Sequence, residues 1–290
     1  MQKRPIILAS FLLFGSFLSI ILIYGMVGWD VAASFTKWTG KGLIGEFIGF
    51  GNYARWFTDG ALNEVFWNTL KLLVIFLGGT VLIGLVCASL LNLGIKGGGA
   101  LRMIYLIPLS ISFVVSAAAW AWMFQPQHGI INSLLRGVNL GFLAQPWTAS
   151  TSQSLICVAI AYIWQFSGFA TLIYYTGLRS VPQELIESAE ISGASTFQKY
   201  RHIYWPMQGT ATISVLMVLL IYILRVFALP WLLTGGGPGF SSEVLPLYLY
   251  RVTFHRLYFG YGASIGVLIF IISIALALPI LYRTLVRRGS

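Results

Sequence analysis

Long apolar runs separated by short polar segments make up most of this chain. Six runs reach the roughly 20 residues that a helix needs to cross a bilayer core. They lie at about 5–28, 66–91, 102–124, 153–176, 209–233 and 262–283. The pattern predicts an all-α fold, a polytopic membrane protein with six transmembrane helices in a single transmembrane domain over 1–290. We find no Asp or Glu within any of the six runs.

Composition supports the bilayer as the solvent of this chain. Hydrophobic residues make up 58% of it and charged residues only 9%, against roughly 25% charged residues in a soluble domain. The net charge of +10 would be compatible with nucleic-acid binding. However, the basic residues are scattered among apolar runs instead of forming one basic face. We therefore expect no nucleic-acid partner.

The distribution of basic residues predicts the orientation of the chain. With the N-terminus inside, inner segments carry ten Lys and Arg residues and the longer outer loops carry six. Because positive residues are retained on the cytoplasmic side, we expect both termini to face the cytoplasm. The ten inner residues are Lys3, Arg4, Lys96, Arg102, Arg179, Lys199, Arg201, Arg283, Arg287 and Arg288.

Residues that carry catalysis or bind metals are sparse. Cys87 and Cys157 lie near opposite ends of their spans, and the three histidines are far apart on different loops. No phosphate-binding glycine loop or nucleophile elbow occurs in the sequence. We therefore expect no metal, no cofactor and no catalytic residue, and we predict that the protein is not an enzyme.

The segment 184–195, ELIESAEISGAS, holds three of the eight acidic residues. It lies in the loop 177–208, which the topology places in the cytoplasm. Val181-Pro182 favours a helix start, and Gly193 can end that helix in a left-handed conformation. A second short helical stretch is expected up to Pro206, giving a helix-turn-helix shelf. The acids share one helical face through their spacing of three: Glu184, Glu187 and Glu190.

This loop resembles the signature loop of the membrane subunits of binding-protein-dependent ABC importers. The family pattern is Glu-Ala-Ala, then Gly after three residues, then Ile-x-Leu-Pro after nine more. Ser188 replaces the first Ala here, and Trp205 replaces the Leu. The resemblance implies that the loop is a coupling helix that docks on a cytoplasmic ATPase. The residues that it assigns to coupling are Glu184, Glu187, Ser188, Ala189, Gly193, Ile203 and Pro206.

A second resemblance concerns the segment 233–271, which begins LTGGGPGFSSE. It looks like the segment after the fifth span of sugar-type permeases, relatives of the larger membrane subunit of the maltose transporter. The similarity extends from about residue 66 to the end. A flexible turn is the alternative interpretation of the glycine run alone. The resemblance implies import of a sugar or oligosaccharide.

The substrate pathway is placed by the same resemblance. Counting from the coupling motif, the sugar-contacting positions of the family fall on Tyr162, Phe166, Leu219, Ile223 and Val226. Most of these are apolar here, so aromatic rings that stack on a sugar are added as candidates: Tyr162, Trp164, Phe166 and Phe169. Ordinary helix packing is the alternative for these rings. Arg225 is either a pathway residue or a structural cation that reaches the surface or an interface.

The resemblance also implies a set of partners. They are a second homologous permease subunit, two cytoplasmic ATPase subunits that bind ATP and Mg, an extracytoplasmic solute-binding protein, surrounding membrane lipid and a sugar substrate. Two alternatives stay open. One is the same machine moving a phosphorylated polyol or another solute, with Arg225 attracting the anion. The other is a stand-alone secondary carrier, which the lack of carboxylates within the six runs disfavours.

Overall fold

The computed structural model describes residues 3–42, 45–94 and 97–286, with side chains between residues 13 and 282 of those ranges. Lys96, Arg287 and Arg288, which entered the charge count, lie outside the described residues, as do the side chains of Lys3, Arg4 and Arg283. The chain is 77% helical with almost no strand. The prediction of an all-α fold is confirmed.

Thirteen α-helices occur in the described ranges, with one two-stranded antiparallel hairpin. The hairpin pairs β1 (Thr36–Lys37) with β2 (Glu46–Phe47). The helices are α1 Lys3–Ser34, α2 Gly51–Ala54, α3 Gly60–Asn92, α4 Gly98–Ser110, α5 Phe113–Met123, α6 Ile130–Gly137, α7 Ser154–Arg179, α8 Gln183–Ile191, α9 Thr196–Lys199, α10 Gly209–Ile223, α11 Ala228–Thr234, α12 Leu245–Tyr250 and α13 Phe259–Val286.

Five helical segments of the described chain are long and apolar enough to cross a membrane. They are Leu13–Ser34, Gly60–Asn92, Ser154–Arg179, Thr196–Ile223 and Phe259–Tyr282. A sixth candidate is the pair α4 and α5, which is bent by 102°. The protein is therefore a multi-pass membrane protein, with six spans if the bent pair counts as one.

The third apolar run, 102–124, is not one straight helix as expected. Ile111 has an extended backbone, and the Ser112 side chain caps α5 by accepting from the Val115 N–H at 3.3 Å. Gln165 of α7 donates to the Ile111 carbonyl at 2.8 Å. This contact satisfies a backbone group that the break removes from the helix, so the bend is built into the packing of α7.

The fifth run also differs from its expected bounds of 209–233. Helix α10 ends at Ile223, and a separate α11 begins at Ala228. Pro230 explains the break, because in a continuous helix its ring would clash with the Val226 carbonyl. At the other end, α9, a π turn over Tyr200–Tyr204 and a 3-10 turn over Pro206–Gln208 lead directly into α10. The second half of the expected shelf is thus an extension of the fifth span.

Helix α1 runs six residues beyond the apolar run that predicted it, to Ser34. The candidate span Leu13–Ser34 therefore contains Asp30. Helix α3 likewise begins at Gly60 and includes Glu64. The apolar runs themselves contain no acid, but both helices extend beyond their runs. The expectation that the spans lack acids is therefore wrong for these two candidate spans.

The chain forms two compact units, Met1–Gly60 with Tyr248–Ile271, and Ala61–Leu247 with Ile272–Ser290. In the first unit, the end of α1 is held by the following loop. Asn52 donates to the carbonyls of Ser34 and Thr36 at 2.8 and 2.9 Å, and the Gly260 N–H donates to the Trp38 carbonyl at 3.1 Å. The single-domain assignment over 1–290 stays a prediction.

The second unit is organised around α7, the most buried of the candidate spans. At two contacts of α7, a glycine allows the neighbouring helix to approach closely. A Cβ on Gly168 would lie 2.1 Å from the Tyr105 carbonyl oxygen of α4, and a Cβ on Gly84 of α3 would lie 2.5 Å from the Ala170 Cβ. These glycine contacts bring α3 and α4 against α7, and they fix the bundle that carries the sites below.

Candidate functional site

Helix α8 is exposed on nearly all of its surface. Ile186 is its buried residue, while Glu184, Glu187 and Ser188 are exposed and Ala189 is half-buried. The apolar side chains of Leu185 and Ile191 are also exposed, Ile191 to 89%. Helix α8 thus presents two exposed carboxylates beside two exposed aliphatic side chains, so charge and apolar contact can act together if a partner docks there.

Gly193 ends α8 in the left-handed conformation that its sequence position predicted. Its φ is +76°, its N–H donates to the Glu190 carbonyl at 2.9 Å, and the Ala194 N–H donates to the Ala189 carbonyl at 2.9 Å. This pair of bonds is a Schellman motif, in which glycine avoids the steric cost that other residues incur at positive φ. The prediction of a helix end at Gly193 is confirmed.

The chain then continues through a capped second helix, α9. The Ser195 hydroxyl accepts from the Gln198 N–H at 3.3 Å, and the Gln198 side chain accepts from the Ser195 N–H at 2.7 Å. Lys199 forms an ion pair with Glu190 at 2.6 Å. Of the three acids on the predicted face, Glu190 is therefore held within the loop. Glu184 and Glu187 have no hydrogen-bonded partner in the described part of the chain.

Three side-chain contacts anchor this loop to the end of α3. The Tyr200 hydroxyl donates to the Ser89 carbonyl at 3.1 Å and accepts from Asn92 at 3.0 Å. The Trp205 indole N–H donates to the Ser89 hydroxyl at 3.1 Å. Trp205 is the position that departs from the family pattern, and the departure supplies a hydrogen bond that Leu cannot make. Ile203 is half-buried and Pro206 opens the 3-10 turn before α10.

A cleft of about 570 Å³ lies at the break between α10 and α11. Three of the predicted pathway residues line it: Tyr162, Arg225 and Val226. Sequence reasoning missed the other lining residues, because the break that exposes them was not predicted. They are Phe113, Val218, Ile221, Tyr222, Phe227 and Ala228.

The remaining predicted pathway residues do not line the cleft. Phe166 is buried directly behind Tyr222, with ring centroids 4.7 Å apart. Leu219 and Ile223 are buried in the core, and Phe169 is half-buried against it. Trp164 packs edge-on against Trp120 at 5.8 Å. Trp164 is two residues from Tyr162, and this spacing turns the two side chains to different faces of α7.

Tyr162 lines the cleft from α7 and is itself only 3% exposed. Its ring packs against those of Phe76 and Phe113, with ring centroids 5.8 and 5.7 Å away. This packing fixes the position of the ring on the cleft wall.

Arg225 lies in the non-helical break and its side chain is exposed. Within the described residues the Arg225 side chain makes no hydrogen bond or ion pair, and none of the cleft-lining residues is acidic. Arg225 shares the cleft lining with four aromatic residues, Phe113, Tyr162, Tyr222 and Phe227. Aromatic faces with one charged donor are suited to a ligand that has apolar faces and oxygen acceptors.

The glycine-rich segment after α11 is held by hydrogen bonds. The Ser242 hydroxyl contacts the Thr234 hydroxyl at 2.7 Å and donates to the Gly237 carbonyl at 3.0 Å. Asn68 of α3 donates to the Phe240 carbonyl at 2.7 Å, and the Leu245 N–H donates to Thr69 at 2.9 Å. These contacts make the segment a fixed loop, in place of the flexible turn that its glycines alone would allow.

Comparison with known proteins gives the family. Residues 80–289 match the family described as binding-protein-dependent transport system inner membrane component. This chain belongs to that family. It is 38% identical over 266 residues to a probable ABC transporter permease of Pyrococcus horikoshii, covering 90% of each chain. It is 33% identical to the xylose/arabinose import permease of Haloferax volcanii over 90% of this chain and 83% of the relative.

A solved structure shows the same fold. A membrane chain from the crystal structure of a bacterial alginate ABC transporter, in complex with a periplasmic protein bound to an alginate pentasaccharide, superposes with a TM-score of 0.81. The superposition covers 96% of this chain and 93% of that one at 22% identity. The family is a transport-system component, so this chain is a permease subunit of an ABC transporter and not an enzyme. A stand-alone secondary carrier is thereby set aside.

Proposed function

We propose that this permease subunit imports a sugar or oligosaccharide, and that the α10–α11 cleft is part of the pathway. The observation that carries the proposal is the cleft itself, with aromatic rings and a guanidinium in a membrane-spanning segment. The xylose/arabinose importer among its relatives and the sugar-type glycine loop support the same substrate class. Aromatic rings stack on the C–H faces of sugars, and Arg225 would donate to their hydroxyls.

The coupling surface in this proposal is α8 with the turn at Gly193. Glu184, Glu187, Ser188 and Ala189 would meet a groove of the ATPase, with Leu185 and Ile191 supplying apolar contact. Ile203 and Pro206 lie where the loop joins α10, so a push on α8 would pass through Tyr200 and Trp205 to the end of α3. The fixed contacts at Ser89 and Asn92 make this a mechanical connection.

The complete assembly would contain a second homologous permease, two ATPase subunits that bind ATP and Mg, and an extracytoplasmic binding protein. The ATPases would close on ATP and turn the bundle from inward-facing to outward-facing. The binding protein would then release sugar into the cleft. Both termini and α8 would be cytoplasmic, and the protein would reside in the prokaryotic inner membrane. The excess of basic residues in the inner segments supports this orientation.

One observation favours a second candidate, a phosphorylated polyol or other anionic solute. Arg225 has no acidic partner among the cleft-lining residues, and a guanidinium binds phosphate through paired hydrogen bonds. Competition distinguishes the two substrates. Excess sugar phosphate would inhibit uptake strongly only if the site is built for an anion.

The test is ATP-driven uptake in proteoliposomes that contain both permeases and both ATPases, with binding protein added outside. We expect accumulation of a labelled mono- or oligosaccharide that requires ATP and the binding protein together. Arg225→Leu should raise the half-saturating sugar concentration, and Arg225→Lys should raise it less. Absence of uptake for a broad set of sugars, with uptake of another solute class, would overturn the sugar assignment.

A further inference from the structure

Asp30 faces a cavity in the first compact unit from within a candidate membrane span. The cavity is about 280 Å³ and lies between α1 and α13. Asp30 is half-buried in it. Every other lining residue in the described chain is apolar or glycine: Met26, Val27, Val31, Gly266, Val267 and Phe270. A carboxylate in such surroundings is unfavourable unless something compensates its charge.

Gly266 of α13 is shaped to this carboxylate. A Cβ at that position would lie 2.7 Å from the Asp30 Oδ2 atom, closer than non-bonded atoms approach. The carboxylate thus rests against the backbone of α13, where only glycine leaves room for it. The position of Asp30 is therefore part of the packing of α1 on α13 in this unit.

Nothing within the described residues compensates the Asp30 carboxylate, which makes no hydrogen bond or ion pair there. The rest of the chain covers little of helix α1, since only 6% of its most apolar 18-residue stretch is buried. Intramembrane carboxylates are rare and generally pair with a cation or face a polar cavity. The described residues supply neither, and the exposed surface of α1 leaves room for a compensating group from another molecule.

We infer that the α1–α13 cavity receives a Lys or Arg side chain of the second permease subunit, which pairs with Asp30. Long basic side chains bury their aliphatic stems along apolar surface and place the charge at the tip. The cavity suits such a side chain. Met26 and Phe270 lie one helical turn from Asp30 and Gly266 and provide apolar surface for the stem, while Asp30 meets the charged tip. A zwitterionic lipid headgroup brings its own phosphate beside its ammonium and compensates a carboxylate less.

This inference rests on the two-permease assembly of the proposed function, so the first measurement checks that assembly. The tagged wild-type chain is co-expressed with the second permease and the ATPases and purified in mild detergent. Recovery of the second permease supports the assembly. If the wild-type chain recovers none, the proposed function itself fails, independently of Asp30.

Asp30 variants then test the pairing. Asp30→Asn keeps the size of the side chain but leaves the partner's cation uncompensated, so recovery of the second permease should fall about tenfold or more. Asp30→Lys should lower it further, and Asp30→Glu should restore much of it. Glu64→Gln is the control, since Glu64 is an exposed acid of α3. Equal recovery for the wild-type chain and Asp30→Asn would overturn the inference.

A photo-crosslinking side chain at Val27 identifies what occupies the cavity. Val27 lines the cavity and leaves Asp30 unchanged. Irradiation of intact membranes should join this chain to the second permease, and the yield should fall in the Asp30→Asn background. Products with lipid alone, with a second copy of this chain alone, or with no other molecule would each contradict the inference.

Discussion

The Trp205 indole N–H donates to the Ser89 hydroxyl across 3.1 Å, and this bond joins the loop after α8 to the end of α3. Ser89 also donates to the Leu85 carbonyl at 2.8 Å and accepts from Tyr200 through its own carbonyl. One residue of α3 therefore receives two aromatic side chains from the loop. In the proposed coupling, a displacement of α8 would reach the end of α3 through these contacts.

Trp205→Phe should weaken this connection while keeping an aromatic ring. A single hydrogen bond contributes about 1 kcal/mol net, so the complex should still assemble. The ratio of sugar transported to ATP hydrolysed should fall several-fold, since the ATPase movement would be transmitted less completely. Trp122→Phe is the control, because Trp122 is exposed. An unchanged ratio in Trp205→Phe would remove this bond from the coupling path.

Arg225 is predicted to act on substrate. A hydrogen bond from a charged donor contributes roughly 1.5–3 kcal/mol, so Arg225→Leu should raise the half-saturating substrate concentration about tenfold or more at unchanged complex yield. Arg225→Lys retains the charge, so its half-saturating concentration should lie between those of the wild-type chain and Arg225→Leu. A structural role would instead reduce the yield of the complex. Normal uptake at full yield would remove Arg225 from the pathway.

A Tyr–carboxylate contact in the first unit predicts how stability depends on pH. Burial and the Asp59 carboxylate, which accepts from the Tyr248 hydroxyl at 2.8 Å, raise the pKa of Tyr248 to about 12. The unfolded value is about 10. Stability from this group is complete below pH ~10 and declines as the pH rises towards ~12, because the unfolded chain loses the proton first.

Thermal unfolding measured between pH 9 and 12 should therefore show a steeper decline in the wild-type chain than in Tyr248→Phe. The variant should be less stable at neutral pH, since it loses the donor to Asp59. Tyr24→Phe, at an exposed position of α1, should follow the wild-type profile. Parallel profiles for Tyr248→Phe and the wild-type chain would show that the tyrosine does not contribute to the alkaline decline.

Orientation is tested by cysteine labelling. Ser195→Cys lies after α8 and should be protected from an impermeant maleimide in intact spheroplasts, whereas Thr151→Cys before α7 should react. Both positions are exposed. The native Cys87 and Cys157 are first replaced by Ala. Reaction at position 195 with protection at 151 would invert the predicted topology.

The length of the apolar runs predicted the helical fold, because crossing a bilayer requires a long apolar helix whatever its contacts. It did not predict the breaks. Pro230 stands inside an apolar run, where a proline is itself a local signal for a helix break, but the length and hydropathy of the run do not register it. The bend at Ile111 is stabilised by Gln165, which is 54 residues away in sequence. Contacts of that kind leave no local signal.

The residues of the candidate site were likewise predicted where a local signal exists and missed where none was used. The end of α8 was predicted because a glycine after an amphipathic helix is a local signal. Tyr222 and Phe227 were missed because they line a cleft that the unpredicted break creates. Asp30 was placed outside the membrane because the apolar run ends before it, although the helix continues. Hydropathy locates the apolar part of a span and not the end of its helix.

The central claim is that α8, ended by Gly193, couples this subunit to ATP hydrolysis, and the most direct test is Gly193→Val. A β-branched residue is strongly disfavoured at φ +76°, so the turn should be displaced while the membrane bundle stays intact. Gly137→Val, at the end of α6 with open space around it, is the matched control. We predict that both variants assemble at wild-type yield and that Gly193→Val alone loses ATP-driven uptake and stimulated ATPase activity. Wild-type uptake and stimulation by Gly193→Val would contradict the coupling assignment.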